Sequence, residues 1–411
     1  MVTSVGGDVD VDVVVVGAGL AGLAAARHIT AAGRTVVVLE AADSVGGRVR
    51  SEVIDGVTVD RGFQLLNPAY PEAARVLDLD ALHLRSFVPG VLLAGHDGRH
   101  LVADPRRRPS ALLTSAVHAP GSRLAQARFA AYAVSLTIGD GHRLLARADA
   151  EVGAAYSGFG ALTDRVLAPF LAGVLFDDSM TSSRRFVDLL LRTFALGTPG
   201  VPARGMQAMP DQLASGLDVR LATPVRAVTA RTAVTDETIW HARAVVVATD
   251  PGGASMLLPG LDVADMRSGT TWWHLADAPG AALTGGAPVL VVDPDRRGPL
   301  VNSVVVSNAA PSYSVHGRAL VASTALGTDV DERAVIDHLT LLHGVDVTNW
   351  DVVAVHRIAA TVPSTPVGSS FRKPVQHEGI YVAGDHRDTA SIQGALVSGR
   401  RIGDAVLAAL A

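Results

Sequence analysis

The sequence predicts the α/β class, with a parallel, Rossmann-like sheet at the core of a chain long enough for a second domain. Three observations carry that expectation. A β-branched apolar run at 13–16 leads directly into Gly17, Gly19 and Gly22, the G-x-G-x-x-G spacing of a turn between strand and helix. Helical sequence over 20–32 stops at Gly33, and TVVVLE then reads as a second strand ending on Glu40. Finally, 411 residues with 48% hydrophobic and 18% charged side chains can bury two substantial cores and do not resemble a disordered composition.

Each element has a chemical reason. Gly17 permits the tight turn, Gly19 lets backbone N–H groups approach a pyrophosphate, and Gly22 allows the helix to pack closely on the strand. The pyrophosphate belongs at the helix N-terminus, where the amides of Leu20 and Ala21 lack carbonyl partners and the helix dipole favours negative charge. Glu40, with Ala41 beside it, follows the glycines by roughly 20 residues, where a carboxylate accepts from ribose hydroxyls and repels a 2′-phosphate. The expected ligand is therefore a dinucleotide other than NADP. A second glycine pair, Gly46 and Gly47, lets the chain pass close to it, and the Arg48 guanidinium can pair bidentately with phosphate oxygens.

The segment AADSVGGRVRSE resembles the part of the flavin-containing amine oxidase, protoporphyrinogen oxidase and phytoene desaturase superfamily in which Gly-Gly-Arg wraps the FAD pyrophosphate. GIYVAGDHRDTASIQGALVSGRRIGDAVLAAL is similar to that superfamily's C-terminal FAD motif. The resemblance implies that Gly384 and Asp385 hold the ribityl side. It also implies that Ile392 and Gln393, opening a helix near Ser391, offer amides toward the pyrimidine end of the flavin. A helix N-terminus there would stabilise the electron-rich reduced ring. DVRLATPVRAVTA is a strand-turn-strand piece whose Val225 stands where relatives touch the adenine through their backbone. Segment 60–71, DRGFQLLNPAYP, looks like the piece that returns beneath the isoalloxazine ring, with Gly62, Phe63, Gln64 and Leu65 as its neighbours. Phe63 and Leu65, at spacing two, equally describe core residues of a half-buried strand.

With this resemblance the expected architecture is a Rossmann-like FAD-binding domain interleaved with an α+β substrate-binding domain. The first takes residues 1–75, 200–260 and 350–411; the second takes 76–199 and 261–349. Inside the second, helical spacing over 106–150 breaks at Pro120 and at 139–141, APVLVVD and RALVAST read as strands, and 332–342 reads as a helix. ARAVVVATDPGG reads as a buried strand running into a glycine turn.

Composition narrows the function. A net charge of −5 gives no support for a nucleic-acid partner. The absence of cysteine rules out disulfides, thiolate metal sites, cysteine nucleophiles and a cysteinyl–flavin bond, so FAD is expected to be held non-covalently. The scattered histidines form no metal-ligand set, and no metal is expected. No basic segment precedes the first apolar run, and no apolar run approaches the roughly 20 residues that span a bilayer, which reads as a cytoplasmic protein. Arg106, Arg107 and Arg108 before PSALLTSAVHAP suit either a solvated helix start or a peripheral contact with anionic headgroups.

Only one dinucleotide fingerprint is present, so the organic substrate itself, not NAD(P)H, is expected to donate electrons. The expected reaction, of dehydrogenase, desaturase or oxidase type, moves a hydride from an apolar small molecule to flavin N5, with dioxygen or a quinone as acceptor. Amine oxidases of the superfamily commonly carry a lysine bridged through water to N5 and two aromatic residues flanking the amine. Here Lys373 is the only lysine and lies in FRKPVQ, and the position of one flanking tyrosine is Ser391. ATVPSTPV followed by FRKPVQHEGIYVAGD looks more like carotenoid desaturases. A flavin-dependent amine oxidase and a non-redox FAD-dependent isomerase are the alternatives. His386, next to the Gly-Asp turn, is the candidate catalytic or substrate-orienting residue, with a structural hydrogen bond as its other reading. Trp272 and Trp273 suit the core or a pocket wall, and Asp177 and Asp178 are adjacent carboxylates with no partner visible in the sequence.

Overall fold

The computed structural model describes residues 6–111 and 117–411. Its first sheet grows from the strand Gly6–Val16, which pairs in parallel with Val36–Leu39 on one side and Thr238–Val247 on the other. Asp218–Arg220 and Ile380–Val382 extend it at either edge, also in parallel. Central placement explains the β-branched run: Val13, Val14 and Val15 are fully buried, as a strand covered on both faces requires. The hairpin Val225–Val228 with Thr232–Thr235 continues antiparallel from the first half of Thr238–Val247.

Helix Leu20–Ala31 covers one face of this sheet, and the C-terminal helix Ile392–Leu410 packs against it. Glycines one turn apart make that crossing close. A Cβ on Gly399 would run into the Ala21 carbonyl, and one on Gly403 would lie 2.6 Å from the His28 ring. Because Gly399 meets Ala21 and Gly403 meets His28, the two helices run in the same direction and present their N-termini toward the same end of the molecule.

The second sheet runs in the order Asp351–Pro363, Met266–Ala276, Ala319–Leu326, Leu300–Val305, Leu290–Val292, Gly90–Gly95, Gly98–Ala103. All its pairings are antiparallel except that of Leu290–Val292 with Gly90–Gly95. The strands read at 287–293 and 318–324 are present, and the helix read at 332–342 is Glu332–His343. Trp272 and Trp273 are core residues, at 3% and 0% exposure. A helical unit that includes Arg123–Thr137, Ala168–Leu175 and Arg184–Leu196 packs beside this sheet around Tyr156, Leu171 and Phe186.

Two local readings are corrected. Asp351–Pro363, expected with the cofactor-side block 350–411, instead pairs with Met266–Ala276 in the second sheet. Most of its residues are half-buried or exposed, as suits an antiparallel strand with one open face, and the chain rejoins the first sheet only at Ile380. The expected glycine turn after ARAVVVATD is the first turn of helix Pro251–Leu257. Asp250 caps it by accepting from Gly253 N at 2.8 Å, and Pro251 occupies the first helical position, where its missing N–H costs nothing.

Asp60 ties these parts together. It ends the strand Val57–Asp60 at 1% exposure. Its carboxylate accepts from Ser51 Oγ at 2.6 Å, Met206 N at 2.9 Å and the Tyr313 hydroxyl at 3.1 Å. Trp273 Nε1 donates to its carbonyl at 3.0 Å. Burial pushes the carboxyl up from 3.8 to about 6, against the pull of those hydrogen bonds. The folded state therefore holds this proton more tightly than the unfolded chain, and the stability so gained is lost as pH rises through that interval. Relative to Asp60→Asn, the native chain should lose on the order of 2–3 kcal/mol between about pH 4 and pH 7 in urea unfolding. A difference that stays constant over that range would show that Asp60 titrates as it does in the unfolded chain.

Candidate functional site

The glycine turn is built as its spacing requires. Gly17 has φ +105°, and a Cβ there would stand 2.9 Å from the Ala248 carbonyl oxygen. A Cβ on Gly22 would enter the Gly17 carbonyl, so only glycine lets the helix sit this close to the strand end. Over Gly19 the space is open: a Cβ would meet nothing within 4 Å. Gly19 is also the N-cap and has no side chain to cap with, so the first turn, opened by Leu20 and Ala21, carries no side-chain cap.

The second glycine pair closes on the first. Gly46 N donates to the Ala18 carbonyl at 2.8 Å, and a Cβ on Gly47 would lie 3.3 Å from Gly19 Cα. Glu40 is locked to the same turn, accepting from Ala18 N at 2.7 Å through one carboxylate oxygen and from Ala42 N at 2.8 Å through the other. Each oxygen keeps a lone pair for a hydroxyl donor, and Ala41 lies between these contacts. The turn before Val225 folds onto this loop, with Thr223 N donating to the Glu40 carbonyl at 2.7 Å and Ala222 N to that of Ala42 at 2.8 Å.

At the other end Gly384 N donates to Ser398 Oγ at 3.1 Å, and Asp385 is 6% exposed. Arg48 and Asp385, both expected to face a cofactor, face each other: Nη2 donates to Oδ1 at 2.6 Å, while Nη1 donates to the Thr361 carbonyl at 2.9 Å. This differs from a guanidinium turned wholly toward phosphate, because a buried carboxylate at hand competes for the fork. Burial, the largest single influence, would lower the Arg48 pKa; Asp385 and Asp250 together outweigh it, and the net direction is upward. The Arg48 carbonyl in turn accepts from Gln64 Nε2 at 2.7 Å.

Ser391 Oγ caps the last helix by accepting from Gly394 N at 3.0 Å. Ile392 and Gln393 are its first residues, with first-turn amides available. The Gln393 side chain accepts from Glu72 N at 3.0 Å and so holds helix Pro71–Val76. Since Gly399 is the residue beside Ala21, this N-terminus lies further along than the Gly19 turn by about 10 Å of helix. Gly62 N donates to His356 Nδ1 at 3.4 Å, and Phe63 and Leu65 pack on the main core, Phe63 edge-on to Phe87.

Among the described residues, the buried side-chain atoms without a hydrogen-bond partner include Gln64 Oε1, beside Arg48, and both ring nitrogens of His386, beside Asp385. His386 is 4% exposed, and burial pushes its pKa down to about 4 against the pull of Asp385, which leaves it neutral at pH 7. The structural hydrogen bond considered for it has no partner here. Open space over Gly19, two helix N-termini offset along one direction and these orphaned atoms fit an elongated anionic ligand with polar groups at both ends. FAD has that form.

Lys373 pairs with Asp262 at 3.0 Å. Asp177 is bound by Arg267 at 3.0 Å and by Ser179 and Ser182, whereas Asp178 is exposed. Sequence reasoning missed Asp60, Thr361 and the pair Gly399 and Gly403. Only the glycine pair had a readable signal, two small residues one helical turn apart.

The family described as flavin containing amine oxidoreductase matches residues 20–407. Hydroxysqualene dehydroxylase of Rhodopseudomonas palustris is 30% identical over 96% of this chain and 98% of its own length. Putrescine oxidase of Kocuria rosea is 55% identical over 67 residues, which are 16% of this chain and 14% of that enzyme. Among solved structures, an oxidoreductase from Methanosarcina mazei superposes with a TM-score of 0.74 at 17% identity, over 96% of this chain and 100% of that one.

Glu40→Ala and Arg48→Ala should each weaken FAD binding by roughly 10- to 150-fold, the worth of a charge-assisted hydrogen bond. Titration of the apoprotein measures it. Unchanged affinity in both variants would mean that the cofactor is held elsewhere.

Proposed function

This chain belongs to the flavin-containing amine oxidoreductase family, and from that premise we propose that it removes a hydride from an apolar, hydrocarbon-rich small molecule. It is an FAD-dependent oxidoreductase. Bound along the glycine turn, FAD would supply the hydride acceptor, N5, with dioxygen or a quinone as the proposed final acceptor.

The chain's own residues supply binding and orientation. Leu20 and Ala21 offer amides to the pyrophosphate beside Arg48, and Glu40 accepts from ribose hydroxyls. Ile392 and Gln393 offer amides, and the positive end of a helix dipole, to the pyrimidine edge. His386, neutral and buried, suits a hydrogen bond that orients cofactor or substrate; with a pKa of about 4 it is a poor proton donor at pH 7.

One observation carries the apolar reading: the residues standing where the family's amine-handling groups are looked for, a serine in place of a flanking tyrosine and the chain's one lysine, are engaged in structural contacts. Ser391 is the N-cap of the last helix, and Lys373 is ion-paired to Asp262. An apolar substrate needs less apparatus, because burial at roughly 25 cal/mol per Å² supplies affinity and shape selects the carbon presented. The full-length sequence likeness to a hydroxysqualene dehydroxylase supports this substrate class, whereas the sequence likeness to putrescine oxidase is confined to 16% of the chain.

Under anaerobic conditions, a polyene or a long-chain terpenoid alcohol should bleach the flavin absorbance, and benzylamine, tyramine or putrescine should not. The reverse result would make the protein an amine oxidase. With no cysteine in the chain, heat or acid should release intact FAD to the supernatant; flavin that stays with the precipitate would mean a covalent link.

A further inference from the structure

We propose that the outer face of helix Arg123–Thr137 rests on an anionic lipid bilayer. Of its residues only Leu136 is fully buried. At 3.6 residues per turn, Leu124, Ala127, Ala131 and Val134 share one face, which Ile138 continues just past the helix end. Leu124 is 66% exposed, Val134 44% and Ile138 62%. Arg123 and Arg128, both exposed, stand at the two edges of this stripe. The opposite face carries Phe129, Tyr132 and Leu136 toward the helical unit. A helix that merely faced water would be polar on its outer side. This one is apolar on both sides, as suits a helix lying between protein and a second apolar phase.

Charge selects the occupant. The helix Arg123–Thr137 itself carries two arginines, Arg123 and Arg128, and no Asp or Glu, in a chain whose net charge is −5. A stripe of aliphatic side chains edged by arginines matches acyl chains beneath anionic headgroups. The contact also shifts from where the sequence suggested it. Arg106 is paired with Asp104 at 2.6 Å, and Arg107 donates to the Ala195 carbonyl at 2.9 Å and to that of Phe194 at 3.2 Å. Of the segment 109–120, where a helix was expected after them, residues 112–116 lie outside the described residues. The surface is read without reference to substrate, so it stands or falls separately from the proposed reaction.

The test is flotation of the full chain, without substrate, with vesicles of phosphatidylcholine plus phosphatidylglycerol and with vesicles of phosphatidylcholine alone. The chain should float with the anionic vesicles and stay largely free of the neutral ones. Leu124→Ser, Val134→Ser and Ile138→Ser together should weaken partition by roughly tenfold or more. Arg123→Gln with Arg128→Gln should weaken it by about fivefold per arginine, a second test should the triple variant fail to fold. Met256→Ser, at a residue that is 80% exposed on a different helix, should change nothing. Circular dichroism and bound FAD report the fold of each variant. A native chain that ignores anionic vesicles, or a folded triple variant that binds as well as the native chain, overturns the proposal. So does a face that instead mediates a dimer, seen by sedimentation without lipid and abolished by the same three serines.

Discussion

The Arg48–Asp385 pair holds the candidate site together. It joins residues 337 apart in sequence, the end of the second glycine motif and the start of the C-terminal one, at 2.6 Å. Asp385 is buried while Arg48 is partly exposed, and a buried carboxylate is stable only when it is paired and hydrogen-bonded, because desolvation can exceed the Coulombic gain. The Thr361 carbonyl takes one further guanidinium N–H. Thr361 lies on Asp351–Pro363, a strand of the second sheet, so both sheets and both glycine motifs converge on one side chain. Lysine would keep the charge there but not the planar fork that reaches Asp385 and Thr361 together.

What was legible in the sequence is what depends on backbone and near neighbours. Gly17, Gly19 and Gly22, the strand run 13–16 and the helix start at Ser391 each follow from a few adjacent residues. What was not legible depends on partners supplied from afar. Nothing near Asp60 announces that residues 51, 206, 273 and 313 will gather on it. Asp351–Pro363 was assigned by its position in the chain, whereas its sheet is decided by the register it keeps with Met266–Ala276. The start of Pro251–Leu257 is a different kind of miss: Asp-Pro is a helix-start signal, and it was overridden by the two glycines that follow it.

The direction of the last helix follows from the same packing. Gly399 and Gly403 let it lie against Leu20–Ala31 with its N-terminus pointing the same way, about 10 Å beyond the first. Two positive dipole ends are thus set in series along one line, the spacing an extended dinucleotide needs between its pyrophosphate and its ring. The chain also places two carboxylates, Glu40 and Asp385, along that line, which by themselves would repel the phosphates. Glu40 is restrained by the amides of Ala18 and Ala42, and Asp385 by Arg48. A carboxylate already bound to a donor can accept from a hydroxyl while directing less of its field at a neighbouring anion. On the proposed reading the glycine cradle depends on these restraints, and Arg48, already paired with Asp385, would supply the positive charge that lets acid and phosphate share one groove.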